Sequence, residues 1–148
     1  MEGKEMIPKF RAWDNDNNQW YKPTYRAFED NLEYLEIGLN GRLSIVTKTD
    51  GQIKVLDESC FDGRFELMQS TGLCDRNGIE IYEGDILNHP LQGMRKVYYP
   101  FNDRVASYGL ENIENGMRNT LQDTHKLYEV IGNVHEHSHL LDNGGQQQ

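Results

Sequence analysis

Asn40-Gly41 and Asp50-Gly51 stand far enough apart for one short strand between them and no more. Each pair supplies the positive φ that a tight hairpin demands, which Gly adopts without steric cost and Asn or Asp tolerates. Around these turns apolar residues fall at every second position: Leu35, Ile37 and Leu39, then Leu43, Ile45 and Thr47, then Ile53 and Val55 running on to Leu56. Period-2 alternation bounded by hairpin turns predicts three short strands in one antiparallel unit. Composition points the same way. Ala, the best helix former, occurs only at positions 12, 27 and 106, against fourteen Gly and 10% aromatic residues.

The rest of the chain can be read by the same rules. The ordered part is predicted to begin near Met6, with Pro8, Phe10 and Ala12 facing one way and Ile7, Arg11 and Trp13 the other. Asp14-Asn15-Asp16-Asn17-Asn18 is a turn, and residues 19–22 return as a strand that sets Trp20 opposite Trp13. That acidic and amide-rich run also suggests calcium, but it lacks the Gly and the distal Glu of an EF-hand loop. Residues 25–34 fit a short helix or turn, because Phe28, Leu32 and Leu35 share a helical face. Residues 61–87 read as a bend and a strand-bearing loop. There Asp75-Arg76-Asn77-Gly78 turns, Ile79 and Ile81 alternate, and Glu83-Gly84-Asp85 turns again before Ile86-Leu87. At that last turn Gly takes the bend and the carboxylate bonds the turn amides. Residues 96–99 and 104–108 are predicted to pair around Pro100-Phe101-Asn102-Asp103. Leu110, Ile113, Met117 and Leu121 recur at helix-like spacing broken by Gly116, which leaves a short helix and an irregular connection both open. Residues 127–134 make a closing strand, and residues 142–148 make a disordered tail without an apolar anchor.

A formal net charge of −9 excludes nonspecific binding of nucleic acid or acidic membranes through bulk positive charge. No apolar run is long enough to span a bilayer, and the first residues lack the cationic start and apolar core of a signal peptide, so a soluble, cytoplasmic protein without membrane association is expected. Cys60 and Cys74 lie outside any CxxC spacing and are read as free thiols.

Three segments together carry a family resemblance. They are Ile7-Pro8-Lys9-Phe10-Arg11-Ala12-Trp13, the long run from Leu67 through Thr71-Gly72-Leu73, Asp75, Asn77-Gly78 and Ile81-Tyr82-Glu83-Gly84-Asp85-Ile86 to Leu87, and Tyr128-Glu129-Val130-Ile131-Gly132-Asn133-Val134 followed by Leu140-Leu141. In this order they resemble the YopX family of bacteriophage and prophage proteins, over almost the whole chain. The resemblance implies a single domain over residues 6–141, in which a β-rich N-terminal part (6–60, the meander) adjoins an SH3-like barrel part (61–141), often within an oligomer. It implies no established biochemical activity. Residues 22–60 and 88–126 follow no family pattern, so any surface built from them is unconstrained by it.

Candidate sites are few. His135, His137 and His139 share a face on a strand, and His135 and His139 lie one turn apart on a helix, either of which suits zinc. They adjoin the tail without a second ligand set in sequence, and they depart from the family pattern of other polar residues and a Pro, so no metal and no cofactor are expected. The carboxylates Glu80, Glu83 and Asp85 occupy turn positions, and no nucleophile elbow, phosphate loop or HExxH helix occurs, so no catalytic residues are assigned. The one locally cationic stretch gives the candidate binding residues Arg95, Lys96, Tyr98, Tyr99, Arg104 and Tyr108, cations interleaved with aromatics as on surfaces that stack bases or grip peptides.

The expectation is thus an α+β, mostly antiparallel β fold. Its expected function is that of a noncatalytic phage or prophage protein acting through contacts with host or phage proteins, as a homo-oligomer. The alternatives are a nucleic-acid-binding accessory factor using the basic-aromatic stretch, and an acidic decoy of a host DNA-binding protein.

Overall fold

A computed structural model describes residues 9–26 and 31–144. The chain divides into two compact units, Ala12–Leu67 and a second that joins Met1–Arg11 to Met68–Gln148. The architecture is mostly antiparallel β, as the turn spacing predicts.

β1 (Phe10–Asp14), whose last three residues belong to the Ala12–Leu67 unit, leads through the turn at residues 15–18 into β2 (Gln19–Trp20). Trp13 lies opposite Trp20 in register, their rings edge to face with centroids 5.0 Å apart. Beneath the turn is Asp14, whose carboxylate accepts the Asp16 and Asn17 amides and the Asn17 side chain and is gripped by Arg64 through Nε and Nη2 at 3.1 and 3.0 Å. These partners are side chains and amides of the chain itself, and they fix the run as a turn.

The predicted meander follows as β4 (Asn31–Ile37), β5 (Leu43–Thr49) and β6 (Gln52–Asp57), with β3 (Thr24–Arg26) beside β4, in the order β3-β4-β5-β6. The β5–β6 turn sits at Asp50 and Gly51, both with positive φ. Residues 31–34, expected as helix or turn, are strand instead. Asn31, Leu32, Glu33 and Tyr34 pair with Thr49, Lys48, Thr47 and Val46, and a complete ladder beside β5 outweighs a helical face of only three apolar residues. Residues 27–30 lie outside the described residues.

In the other unit, β9 (Asp85–His89), β10 (Gly93–Tyr98), β11 (Gly109–Asn112), β12 (Arg118–Thr120) and β13 (Glu129–Asn133) form a five-stranded antiparallel sheet in the order β12-β11-β10-β9-β13. One face carries Leu87, Val97 and Leu110, which pack with Ile81, Leu121 and Tyr128 into the core. β7 (Phe65–Cys74) and β8 (Glu80–Tyr82) supply the Asp75 and Gly84 turns. Asp75 is buried. Burial pushes its carboxyl up, and the Val130, Ile79 and Asn77 amides together outweigh that and hold it low. At the next turn Gly84 adopts φ +86° and the buried Asp85 accepts the Tyr82 amide at 2.8 Å and Arg11 Nη2 at 2.7 Å.

Four sequence expectations shift here. β7 runs through residues expected as bend and loop, because Gly72 at φ +77° accommodates a register irregularity between Ser70 and Cys74 without ending the strand. Residues 104–108 do not pair with β10. Asn102 Oδ1 takes the Arg104 and Val105 amides, curling that segment into a loop, and β11 returns only at Gly109. The helix-spaced run from Leu110 to Leu121 is a hairpin, since Asn112 Oδ1 accepts the Glu114 and Asn115 amides and Gly116 takes φ +75°. Finally, residues 142–144 of the expected tail complete a helix, α1 (Ser138–Gly144), and residues 145–148 lie outside the described residues.

Candidate functional site

Strand alternation splits the six candidate binding residues. Arg95 lies opposite Leu87 and Asn112 and so belongs to the core-bearing face of the sheet, whereas Lys96 and Tyr98 lie opposite Glu111 and Gly109 on the other. Lys96 Nζ is 3.8 Å from Glu111. The Tyr98 ring covers Gly109 so closely that a Cβ there would lie 2.5 Å from its Cζ, and its hydroxyl donates to the Phe101 carbonyl while the Arg118 guanidinium sits 5.1 Å over the ring. Those contacts make Tyr98 part of the scaffold. Tyr99 and Tyr108 meet ring to ring at 5.0 Å, and burial raises the Tyr108 phenol above its ordinary value. Arg104 is exposed in the loop. The six residues therefore form no single cationic-aromatic surface.

Arg95 instead opens a different site. Beyond the core, its face of the sheet ends in a cleft of about 380 Å³ whose floor includes Arg95, His89, Gln92, Asn119 and Tyr128, with Leu127 at the rim. Arg95 is only 7% exposed; Nη1 donates to Asn119 Oδ1 at 2.6 Å and Nη2 to Gln92 Oε1 at 3.3 Å, while Nε is buried without a partner. His89 Nδ1 accepts the Leu91 and Gln92 amides at 3.0 and 3.1 Å, which fixes the proton on Nε2, and its ring lies 5.4 Å from that of Tyr128. Burial pushes the Tyr128 phenol up, with Arg95 pulling the other way, so Tyr128 stays neutral beside the guanidinium. Sequence reasoning singled out Arg95 but missed His89, Gln92, Asn119 and Tyr128. His89 and Gln92 lie at the β9–β10 turn, Asn119 on β12 and Tyr128 just before β13, and they carry no shared motif.

A second surface lies on the β3-β4-β5-β6 sheet. One face buries Leu43 and Ile45. The register places three rows on the opposite face: Glu36, Ser44 and Asp57, then Tyr34, Val46 and Val55, then Leu32, Lys48 and Ile53. Ile53 is 70% and Val55 60% exposed, and both lie on the edge strand β6.

The histidines do not assemble a metal site: among the described residues no group of three or more His, Cys, Asp or Glu side chains is placed to hold an ion. His137 lies against Gly132 and its Nδ1 accepts the Asn133 amide, which ties it into the turn before α1. Cys60 and Cys74 are free and exposed. No helix among the described residues is long and apolar enough to cross a membrane.

The fold and its turns define a mostly antiparallel β protein of a recognisable class, and comparison with known proteins gives the class a family. The model of the YopX protein family matches residues 9–142, so the chain belongs to that family. Among solved structures it is similar to protein EF1440 from Enterococcus faecalis, with 27% identity and a TM-score of 0.53, over 93% of this chain and 99% of that one. The protein yopX from Bacillus subtilis shares the fold at 18% identity and a TM-score of 0.52, over 88% of this chain and 95% of that one. No curated protein matches the chain.

Proposed function

We propose that this protein works without catalysis, as a phage or prophage protein of the host cytoplasm that self-associates and acts through protein contacts. We further assign the SH3-like part of the family resemblance to the sheet β12-β11-β10-β9-β13. The observation that carries the function is the outward face of β4, β5 and β6. Its middle row, Tyr34, Val46 and Val55, is apolar, with Leu32 and Ile53 beside it. An exposed apolar patch of this kind on an edge strand marks a contact surface.

The occupant is a second copy of the chain. The rows run from acidic (Glu36, Asp57) through apolar to basic (Lys48), so a two-fold axis through the middle row sets the acidic row of one protomer against Lys48 of its partner copy and apolar against apolar. That Arg95 and Lys96 face opposite sides of β10, with Lys96 beside Glu111, supports the protein-contact reading over the nucleic-acid one.

Sedimentation of the full chain tests the proposal. The wild type is expected to be a dimer at micromolar concentration, and Ile53→Glu with Val55→Glu a monomer of unchanged circular dichroism, with association weakened at least ~100-fold by the buried carboxylates. A monomeric wild type, or a double variant that dimerises like wild type, overturns it.

A further inference from the structure

Three buried or largely buried charged side chains in the described structure have a visible counter-charge or a full set of amide donors. Asp14 holds Arg64, Asp85 holds Arg11, and Asp75 takes three backbone amides. Arg95 differs. Its side-chain partners are the neutral oxygens of Asn119 and Gln92 and the neutral phenol of Tyr128, no carboxylate is among them, and its Nε is buried with no acceptor. A guanidinium withdrawn from water without an anion is costly, and proteins keep such a group where something supplies the anion. Within the cleft Arg118 does not add to the deficit, because its Nε and Nη2 both hold Glu111.

We propose that the cleft binds a carboxylate attached to an apolar group, with Arg95 as its counter-ion. The edge of Arg95 formed by Nε and Nη2 is the one left to a ligand, since Nη1 is spent on Asn119 and the Gln92 bond from Nη2 is the longer of the two. Two parallel N–H donors on one edge match two oxygens of a planar carboxylate; phosphate fits the same fork, but one guanidinium beside the apolar Leu127 suits a singly charged acid on an apolar group better than a hydrated dianion. His89 provides a further donor, for with Nδ1 occupied the ring donates only from Nε2. Tyr128 and the 56%-exposed Leu127 offer the apolar contact that the ligand's body needs, and the volume of about 380 Å³ suits a group the size of an aromatic acid or a C-terminal residue. A free small acid and the C-terminal carboxylate of a peptide present the same chemistry to this site. The inference is independent of the dimer face, which lies on another sheet.

The test is a titration of the isotopically labelled full chain, following the Arg95 Nε–H resonance by NMR. The probes are benzoate, a short peptide ending in Leu with a free C-terminus, the same peptide amidated, and inorganic phosphate. The expected result is a saturable shift of the Arg95 signal with benzoate, with the free-acid peptide, or with both, at least ~10-fold tighter than with phosphate or the amidated peptide. Benzoate alone assigns a small acid and the free-acid peptide alone a chain terminus. Because Arg95→Gln removes a buried side chain and risks misfolding, the second variant is Leu127→Glu on the exposed rim. It is expected to keep the wild-type melting temperature and weaken carboxylate binding at least ~10-fold by like-charge repulsion. No saturable shift with either carboxylate at 20 mM or so, phosphate binding as tightly as the carboxylates, or full binding by Leu127→Glu overturns the proposal.

Discussion

At the scale of single residues, burial decides what a charge does. Asp14 and Asp85 are both almost fully buried and both face an arginine, yet their carboxyls shift in opposite directions. Hydrogen bonding from Arg64 is the largest influence on Asp14, and it lowers that carboxyl from 3.8 to about 2 against the cost of burial. For Asp85 burial itself is the largest influence and raises the carboxyl, despite the Tyr82 amide and Arg11. Since folding lowers the Asp14 value, the folded state binds fewer protons there at mildly acid pH. The associated stability, about 2 kcal/mol, is complete above pH ~5 and is lost as pH falls through 4 towards 2. Both tryptophans, Trp13 and Trp20, lie in the Ala12–Leu67 unit, so their emission reports that unit. Urea titrations followed by tryptophan emission at pH 6 and pH 3 should show the midpoint falling with acid. Arg64→Met should lower the pH 6 midpoint by the equivalent of about 2 kcal/mol and flatten the difference between the two pH values. An acid dependence unchanged by Arg64→Met would place its source elsewhere.

At the scale of elements, the turns decide which readings of the sequence hold. The β4–β5–β6 meander and the Asp75 and Gly84 turns were legible because each rests on a Gly or an Asx side chain within a few residues of the bend it makes. What was not legible rests on pairing across longer separations. Residues 31–34 become strand because β5 offers them a ladder, and the turn that Asn112 and Gly116 make joins two strands, not a helix to a loop, because β10 offers β11 a ladder. A helix-like spacing of apolar residues carries no information about a neighbouring strand's unpaired amides. Gly84 shows how tightly such an element is specified. Ala there would hold φ +86° and set its Cβ 2.7 Å from Met68 Cε. The strained backbone costs about 1 to 2 kcal/mol and the contact adds to it. In a thermal double-mutant cycle, Gly84→Ala should destabilise by about 2 kcal/mol or more in the wild-type background and by less in Met68→Ala, because only the contact can be relieved and the φ cannot. Equal destabilisation in both backgrounds would mean that Met68 moves aside freely and the backbone bears the whole cost.

At the scale of the whole molecule, the cleft and the exposed apolar face of β4, β5 and β6 escaped the sequence for a shared reason: each is assembled by register. Arg95 stood out as a cation beside tyrosines, but only the pairing of β10 with β9 and β11 turns it toward His89 and Asn119 and away from Lys96 and Tyr98. Net charge, by contrast, is fully legible, and it decides how self-association responds to salt. Two copies each carrying −9 repel over a Debye length of about 30 Å at 0.01 M salt, which shrinks to about 8 Å at 0.15 M. The contacts of Lys48 with Glu36 and Asp57 across the proposed two-fold are exposed pairs worth at most about 1 kcal/mol each. The apolar rows are almost indifferent to screening. The long-range repulsion involves every charge on both copies, so it is the larger salt-sensitive influence, and sedimentation between 0.01 and 0.15 M sodium chloride should show the dimer tightening as salt rises. Nucleic-acid binding through local cations would move the other way, weakening steeply over the same range. A dimer that loosens with added salt would transfer the binding energy from the apolar rows to the charged ones, and the partner chemistry of this face would then have to be electrostatic.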